Sequence, residues 1–342
     1  MSYNVIIAGC GSMAHVWADY ALTRSDTRIV GLVDINPDAA ARFATQKQLA
    51  CPIFTDLSEA IHATGANLVF DITIPASHYG IASTAMKLGC DVFSEKPLAE
   101  SLEQCLELVQ LAKETGRTHA IMQNRRFDPR IRSLRQMIEK QTIGTVGFTS
   151  ADFFLAPHFG GFRDAMESPL LLDMAIHTFD QARYLIGANP ISVYCHEFNP
   201  KGSWYQGNAM ALCIFEMADG SVFDYRGSWC AEGAPTSWEA SWRIVGDQGT
   251  AIWDGHGEPY AEIVKPEPQA GKFLYEHERA ASEPISMQLT FHHGCLEHMF
   301  DSLGQGTQPE TYSGDNIYSM AMVLAALESA KLGQKIDIRT FL

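Results

Sequence analysis

The first fourteen residues restrict this chain more than any other stretch. Asn4-Val-Ile-Ile-Ala8 is a short apolar run, Gly9-Cys-Gly11-Ser-Met-Ala14 follows at once, and a helical pattern begins near residue 12. A β-run that empties into Gly-x-Gly-x-x-Ala and then a helix is how a dinucleotide-binding βαβ unit opens. Gly9 permits the tight turn, Gly11 lets backbone approach a pyrophosphate, and Ala14 is small enough for close helix–strand packing. Glycines also end strands for purely structural reasons, so the pattern needs its context. That context includes Asp34, which closes the run Gly31-Leu-Val-Asp34 about 20 residues after Ala14, where a ribose-binding acid belongs. A cap on the helix starting at Pro37 is the competing role for Asp34. Ile35, Asn36 and Pro37 bring no cation to receive a 2′-phosphate, so the sequence predicts NAD in preference to NADP.

The first 120 residues repeat that alternation. β-type runs stand at Asn4–Ala8, Arg28–Val33, Asn67–Ile74, Cys90–Ser94 and Thr118–Gln123, with helical patterns near 12–23, 37–49, 56–64, 77–88 and 101–115. Several runs are apolar on both faces, as parallel strands covered by helices must be. This predicts an α/β fold with a doubly wound parallel sheet, a Rossmann domain over residues 1–123. Beyond it the rhythm changes to a helix at 128–140, a long β-run Thr145–Phe154, a helix over 168–187, and β-runs from 191 to 264. Ala218-Asp-Gly220 between the alternating runs Ala209–Met217 and Ser221–Trp229 is a hairpin signal. Residues 124–342 are therefore expected to form an α+β domain on a large, mostly antiparallel sheet, closed by helices at about 286–304 and 313–332. At 342 residues, two domains are what the length allows.

Composition narrows the function classes. The net charge of −15 argues against nucleic acid or an anionic membrane as partner. No signal-peptide pattern or spanning apolar stretch stands out, and the eight scattered cysteines suit reduced thiols in a cytoplasmic protein. His292, His293, Cys295 and His298 gather potential ligands, but the carboxylate or paired-cysteine spacing of a zinc site is missing, so no metal is expected.

Two further strand-to-helix junctions fall at the carboxyl edge of the first sheet, where open α/β sheets bind ligands. One is Thr73-Ile74-Pro75-Ala-Ser-His78 and the other is Ser94-Glu95-Lys96-Pro97. The prolines have structural reasons to stand there. A surface salt bridge accounts for Glu95 and Lys96, but a lysine held at the nicotinamide end accounts for their place on the sheet better. In the second domain, Asp173-Met-Ala-Ile-His177-Thr-Phe-Asp180 puts Asp173 and His177 one turn apart on a helix, with Asp180 close by. A histidine flanked by carboxylates is a candidate general base, though a paired surface helix explains the segment equally well. The arginines at 125, 126, 130, 132 and 135 read mostly as the wet face of an amphipathic helix. Arg125, nearest the sheet edge, is the site candidate among them.

Taken together, Gly9-Cys-Gly11-Ser-Met-Ala14, Glu95-Lys96-Pro97 and Asp173-x-x-x-His177-x-x-Asp180 resemble the Gfo/Idh/MocA oxidoreductases (glucose–fructose oxidoreductase, inositol dehydrogenase and relatives), over essentially the whole chain. The resemblance implies an NAD-dependent dehydrogenase acting on CH–OH groups, with Lys96, Asp173 and His177 as the reacting trio. It implies a homodimer or homotetramer built on the second domain's sheet. Gln123-Asn124-Arg125-Arg126-Phe127-Asp128 and Pro169-Leu-Leu-Leu-Asp173 are similar to the inositol dehydrogenase branch. Phe162-Arg163 and Ser168-Pro169-Leu170 depart from the Trp-Arg pair and glycine stretch of the sugar oxidoreductases. The expected cofactor contacts are Gly9, Gly11, Ser12, Met13, Asp34, Ile74, Pro75, His78, Glu95, Lys96 and Asn124. Lys96, Arg125, His158, Arg163, Asp173 and His177 are expected to face a cyclic polyol or sugar in the cleft between the domains, with either His177 or Lys96 as formal base. An NAD-using glycosidase and a non-catalytic dinucleotide sensor are the rival functions.

Overall fold

The computed structural model describes residues 2–342. Its elements in chain order begin with β1 (Tyr3–Ala8), α1 (Ala14–Thr23), β2 (Thr27–Val33), α2 (Pro37–Lys47), β3 (Ile53–Phe54), α3 (Leu57–Thr64), β4 (Leu68–Asp71), α4 (Pro75–Lys87), β5 (Asp91–Ser94), α5 (Leu102–Thr115) and β6 (His119–Ile121). There follow α6 (Pro129–Glu139), β7 (Val146–Phe154), α7 (Ile176–Ile186), β8 (Pro190–Phe198), β9 (Met210–Met217), β10 (Val222–Ser228), β11 (Ser241–Gly246) and β12 (Gly249–Trp253). The chain closes with β13 (Tyr260–Val264), β14 (His277–Ala281), α8 (Phe291–Gln305), α9 (Ser313–Leu332) and β15 (Ile336–Asp337).

Packing divides the chain into two compact units, the chain up to Phe127 with Gln288–Met320, and Asp128–Met287 with Ala321–Leu342. The sequence had suggested one cut at 123/124. Here the junction falls at 127/128, and the segment carrying α8 returns to the first unit. The reason is an aromatic cluster: Phe300 of α8 sits 5.1 Å from Tyr3, 5.3 Å from Phe93 and 6.0 Å from Phe70. Full burial of one phenylalanine is worth roughly 1.5–3 kcal/mol, and that gain is indifferent to chain order.

In the first unit the six strands are all parallel, in the order β3-β2-β1-β4-β5-β6. The order reverses between β1 and β4, which is the switch point where such sheets open a crevice. Strand β4 is fully buried, Leu68 to Asp71, as the double-faced apolar run predicted, but it ends at Asp71 rather than Ile74. Strand β3 is only two residues long and half exposed, too short to show a pattern in the sequence.

The second unit carries a nine-stranded sheet, β14-β13-β12-β11-β7-β10-β9-β8-β15. Every pair is antiparallel except β7 with β10. The Ala-Asp-Gly hairpin joins β9 to β10 as expected, with Gly220 at φ +87° and Asp219 Oδ1 accepting the Ser221 amide at 3.0 Å. Alternation along β9 buries Ala211, Cys213, Phe215 and Met217 and exposes Leu212 and Ile214. Phe179 of α7 packs edge-on against Phe215 and Tyr225 on the covered face.

Candidate active site

At the end of β1 the backbone demands glycine. Gly9 has φ +88°, and a Cβ there would lie 2.5 Å from the Ile72 carbonyl oxygen. Gly11 is exposed and faces open space. No side chain caps the first turn of α1, whose amides follow the exposed Ser12 and Met13. This is a cradle of N–H groups and positive helix-end dipole, the arrangement that holds a pyrophosphate. Asp34 closes the other side. Its Oδ2 accepts the Cys10 amide and its Oδ1 the Asn36 amide, both at 2.8 Å. The cap of α2 is Asn36, which accepts from the Asp38 amide, so Asp34 is released from the capping role. The residues present fit a bound dinucleotide.

The second junction corrects one expectation. Ile74 and Pro75 are exposed at the start of α4, but His78 is 1% exposed and points inward. Its Nδ1 lies 2.8 Å from Asp71 Oδ2. Asp71, itself fully buried, accepts from Thr73 through both the amide, at 3.2 Å, and the hydroxyl, at 2.6 Å. The buried Ser94 hydroxyl links Asp71 to His119 Nε2, 3.1 Å away. His78 therefore braces the Thr73–Pro75 loop from beneath instead of contacting a cofactor. On α4 it falls on the covered face, because the helix begins at Pro75 and sets the phase.

Glu95 is also a brace. Its Oε1 accepts the Trp17 indole N–H of α1 at 2.8 Å, and its backbone amide bonds the Asp71 carbonyl. Lys96, next in the chain, is half-buried, and its peptide bond to Pro97 is cis. Asn124 opens a short 3-10 turn, Asn124–Phe127, on which Arg125 and Arg126 are buried. Arg126 belongs to the scaffold, bonding Asp315 at 2.8 Å and the Glu310 carbonyl at 3.1 Å. Arg135 donates to the Leu185 carbonyl, so these two are not wet-face arginines. The histidine cluster of α8 disperses. His292 Nδ1 lies 3.4 Å from the Asn124 amide, His293 meets the Val16 carbonyl, and His298 accepts the Glu310 amide. Burial lowers the His292 pKa, with the Glu95 carboxylate opposing and Arg125 reinforcing. Among the described residues no three metal-ligating side chains converge.

In the second unit the expected single helix over 168–187 is two pieces. A π-helical turn spans Leu170–Ala175, and α7 follows from Ile176. Such turns re-aim side chains and gather at functional sites. Asp173 lies on the π-turn and His177, 8% exposed, on the first turn of α7. Arg163 Nε donates to Asp173 Oδ2 at 2.6 Å, so the structure brings together two of the expected substrate residues. Asp180 is 1% exposed and 4.0 Å from Arg183, an interior pair of the helix. His158 goes elsewhere: it pairs with Glu232 at 2.8 Å and stacks on Trp204, ring centres 3.8 Å apart. Behind the π-turn, Ser168 donates to Glu197 at 2.9 Å, and burial pushes the Glu197 carboxyl up to about 7.

Trp17, Asp71, His119 and Glu197 carry no signal in the sequence that marks them for these roles. Trp17 and Asp71 lie in apolar runs, and only the partner across the fold gives them a role. His119 and Glu197 sit inside β-runs, where polar residues normally mark a wet face.

Comparison with known proteins agrees with the fold. The sequence profile described as an oxidoreductase family with an NAD-binding Rossmann fold matches residues 3–123, and the Gfo/Idh/MocA C-terminal domain profile matches 131–252. The uncharacterized protein y4oX of Sinorhizobium fredii is 29% identical, over 100% of this chain and 97% of its own. An inositol 2-dehydrogenase of Rhizobium meliloti is 31% identical over 66% of this chain and 63% of its own. In three dimensions, an oxidoreductase from Agrobacterium radiobacter, solved in complex with NAD+, L-tartaric acid and magnesium, superposes with a TM-score of 0.86. It is 20% identical, with both chains covered completely. With both of its characteristic domains matched in order, the chain belongs to the Gfo/Idh/MocA family of NAD-binding oxidoreductases.

Proposed function

We propose that the protein interconverts a secondary alcohol and a ketone on a cyclic polyol or sugar, as an inositol-dehydrogenase-like enzyme. The observation that carries this reading is the Arg163–Asp173 ion pair one turn ahead of His177. It fixes a carboxylate four residues ahead of His177, in the unit that does not carry the dinucleotide cradle. NAD, when bound, supplies the hydride acceptor. His177 takes the hydroxyl proton, Asp173 orients it, and Lys96 hydrogen-bonds the same oxygen and stabilises negative charge developing there. Gly9, Gly11, Ser12, Met13 and the Asp34 carboxylate hold the dinucleotide, with Ile74, Pro75 and Asn124 toward the nicotinamide end. Arg125 and Arg163 bind substrate hydroxyls.

A panel of inositols, aldoses and anhydrosugars, followed by NADH absorbance, tests the reading. At least one secondary alcohol is expected to reduce NAD, and none doing so at millimolar concentration overturns it. The same assay checks cofactor choice. Wild type is expected to prefer NAD, and Asp34→Ala to narrow that preference by weakening NAD and relieving repulsion of a 2′-phosphate. Wild-type kinetics favouring NADP overturn that assignment.

The oligomer expectation needs one revision. Phe215, Phe223 and Trp229 are buried on the covered face of the nine-stranded sheet, while the neighbouring Val222 is half-exposed. The outer face instead shows Tyr194, Leu212 and Ile214, each 42–50% exposed. A homodimer or homotetramer across this face is the assembly that would cover them. Light scattering at micromolar concentration is expected to give a multiple of 37.8 kDa, and a monomer mass rules the assembly out.

A further inference from the structure

The one parallel pair in the second sheet has a geometric consequence. Strands β7 and β10 run in register from Phe148 opposite Val222 to Phe154 opposite Ser228. Their following loops, 155–169 and 229–240, therefore leave the sheet at the same end. They are stitched together there. Leu155 N bonds the Ser228 carbonyl at 3.0 Å, Ala231 N the Leu155 carbonyl at 3.3 Å, and Thr236 N the Phe154 carbonyl at 2.9 Å. Between them is a cavity of about 310 Å3, lined by Leu155, Pro157, Glu232, Pro235 and Trp238 among others. That volume is near the lower end of the roughly 300–1,000 Å3 typical of small-ligand pockets.

Trp238 lines the cavity, Phe159 stands against Trp238, and Phe162 shares the Arg163 guanidinium with Phe159. Phe159, Phe162 and Trp238 are 55, 68 and 44% exposed. Phe159 lies 6.3 Å from Trp238 and rests on buried Trp229 at 5.9 Å. The Arg163 guanidinium lies over both Phe159 and Phe162 and also bonds Asp173, so this platform joins the candidate site through one side chain. Exposed rings of this size are retained where something stacks on them. The rim's one permanent cation, Arg163, is already matched by Asp173, and the Glu232 carboxylate stands beside His158, which disfavours a phosphate or carboxylate ligand. A neutral molecule with flat C–H faces and a polar edge suits this surface. A pyranose ring has both: its faces stack on aromatic side chains while its hydroxyls meet His158 and Glu232 at the edge.

We propose that this pocket is a subsite for a second pyranose ring, O-linked to the ring that is oxidised. The inference rests on the reading of the protein as a polyol or sugar dehydrogenase, and it makes the preferred substrate a glycoside or disaccharide. The test compares kcat/KM within ring pairs, D-glucose with maltose and cellobiose, and myo-inositol with galactinol. Wild type is expected to favour the two-ring member of at least one pair. That ratio is expected to fall by roughly tenfold, the scale of losing one aromatic stack, in both Trp238→Ala and Phe162→Ala. Equal use of one and two rings by wild type, or a ratio that survives both substitutions, overturns the subsite. If no sugar reduces NAD, the catalytic reading has failed, and the subsite is judged by tryptophan fluorescence. Titration with maltose or cellobiose then gives a saturable change in wild type that Trp238→Phe abolishes, or no saturable change, which overturns it.

Discussion

Replacing His177 with alanine is expected to lower turnover by about 10²–10⁴ while NADH affinity stays within a few-fold. A positioned acid–base group is worth that much in the transition state and little in binding of remote groups. His177 sits on the first turn of α7, in the unit that lacks the dinucleotide cradle, so its loss leaves Gly9, Gly11 and Asp34 untouched. Lys96→Ala is expected to lose turnover and part of NADH binding together, since Lys96 belongs to the unit that carries the cradle and follows the braced Glu95. Fluorescence titration of NADH beside steady-state rates separates the two patterns. Near-normal turnover of His177→Ala on a true substrate removes it from the acid–base role.

The largest stability effect is expected at Asp71. Its carboxylate is fully buried and joins His78, Thr73 and Ser94. Removing one partner of a buried pair strands the others, at a cost of roughly 3–5 kcal/mol. Asp71→Ala should therefore unfold at much lower urea than wild type, and a loss under about 1 kcal/mol contradicts the network. The pH dependence has a definite sign. Burial pushes the His119 imidazole down to about 4, against attraction from Asp71 and with repulsion from His78. The unfolded imidazole takes up a proton as pH falls through about 6.5, whereas the folded one waits until about 4. His119 thus contributes stability that is complete above pH 6.5 and is lost as pH falls toward 4, roughly 3 kcal/mol over the window. Glu197, pushed up to about 7 by burial, acts oppositely, losing stability as pH rises from about 4.5. The contrast between wild type and His119→Gln isolates the histidine. Unfolding free energy should fall less steeply between pH 6.5 and 4.5 in the variant, and equal slopes exclude a buried neutral His119.

Local pattern carried the first sheet because its physics is local. Strands β1, β2, β4, β5 and β6 are short apolar runs separated by helices, and that alternation marks them as parallel. The helix α9 was bounded at 313–332 from its periodicity. Where boundaries moved, a long-range partner moved them. Strand β4 ends at Asp71, whose carboxylate meets Ser94 across the sheet as well as Thr73 and His78. The helix expected from residue 286 begins only at Phe291, and its Phe300 is drawn into the first unit by the cluster around Phe70.

The site divides along the same line. Residue identity and spacing foretold the tight turn at Gly9, whose φ of +88° admits little else, and the acid at the end of the next strand, Asp34, which meets that turn at the Cys10 amide. They also placed Asp173 and His177 a turn apart, although not on the π-turn that presents the aspartate. Spacing could not show that His78 faces inward to Asp71, that Glu95 is held by Trp17, or that His158 is paired away with Glu232. Nor could it show that β7 and β10 run parallel and bring two aromatic loops to one end of the sheet. Backbone conformation is set by neighbours within a few residues. The direction and partner of a polar side chain are set by whichever distant segment packs against it, and packing enters only when the chain has closed on itself.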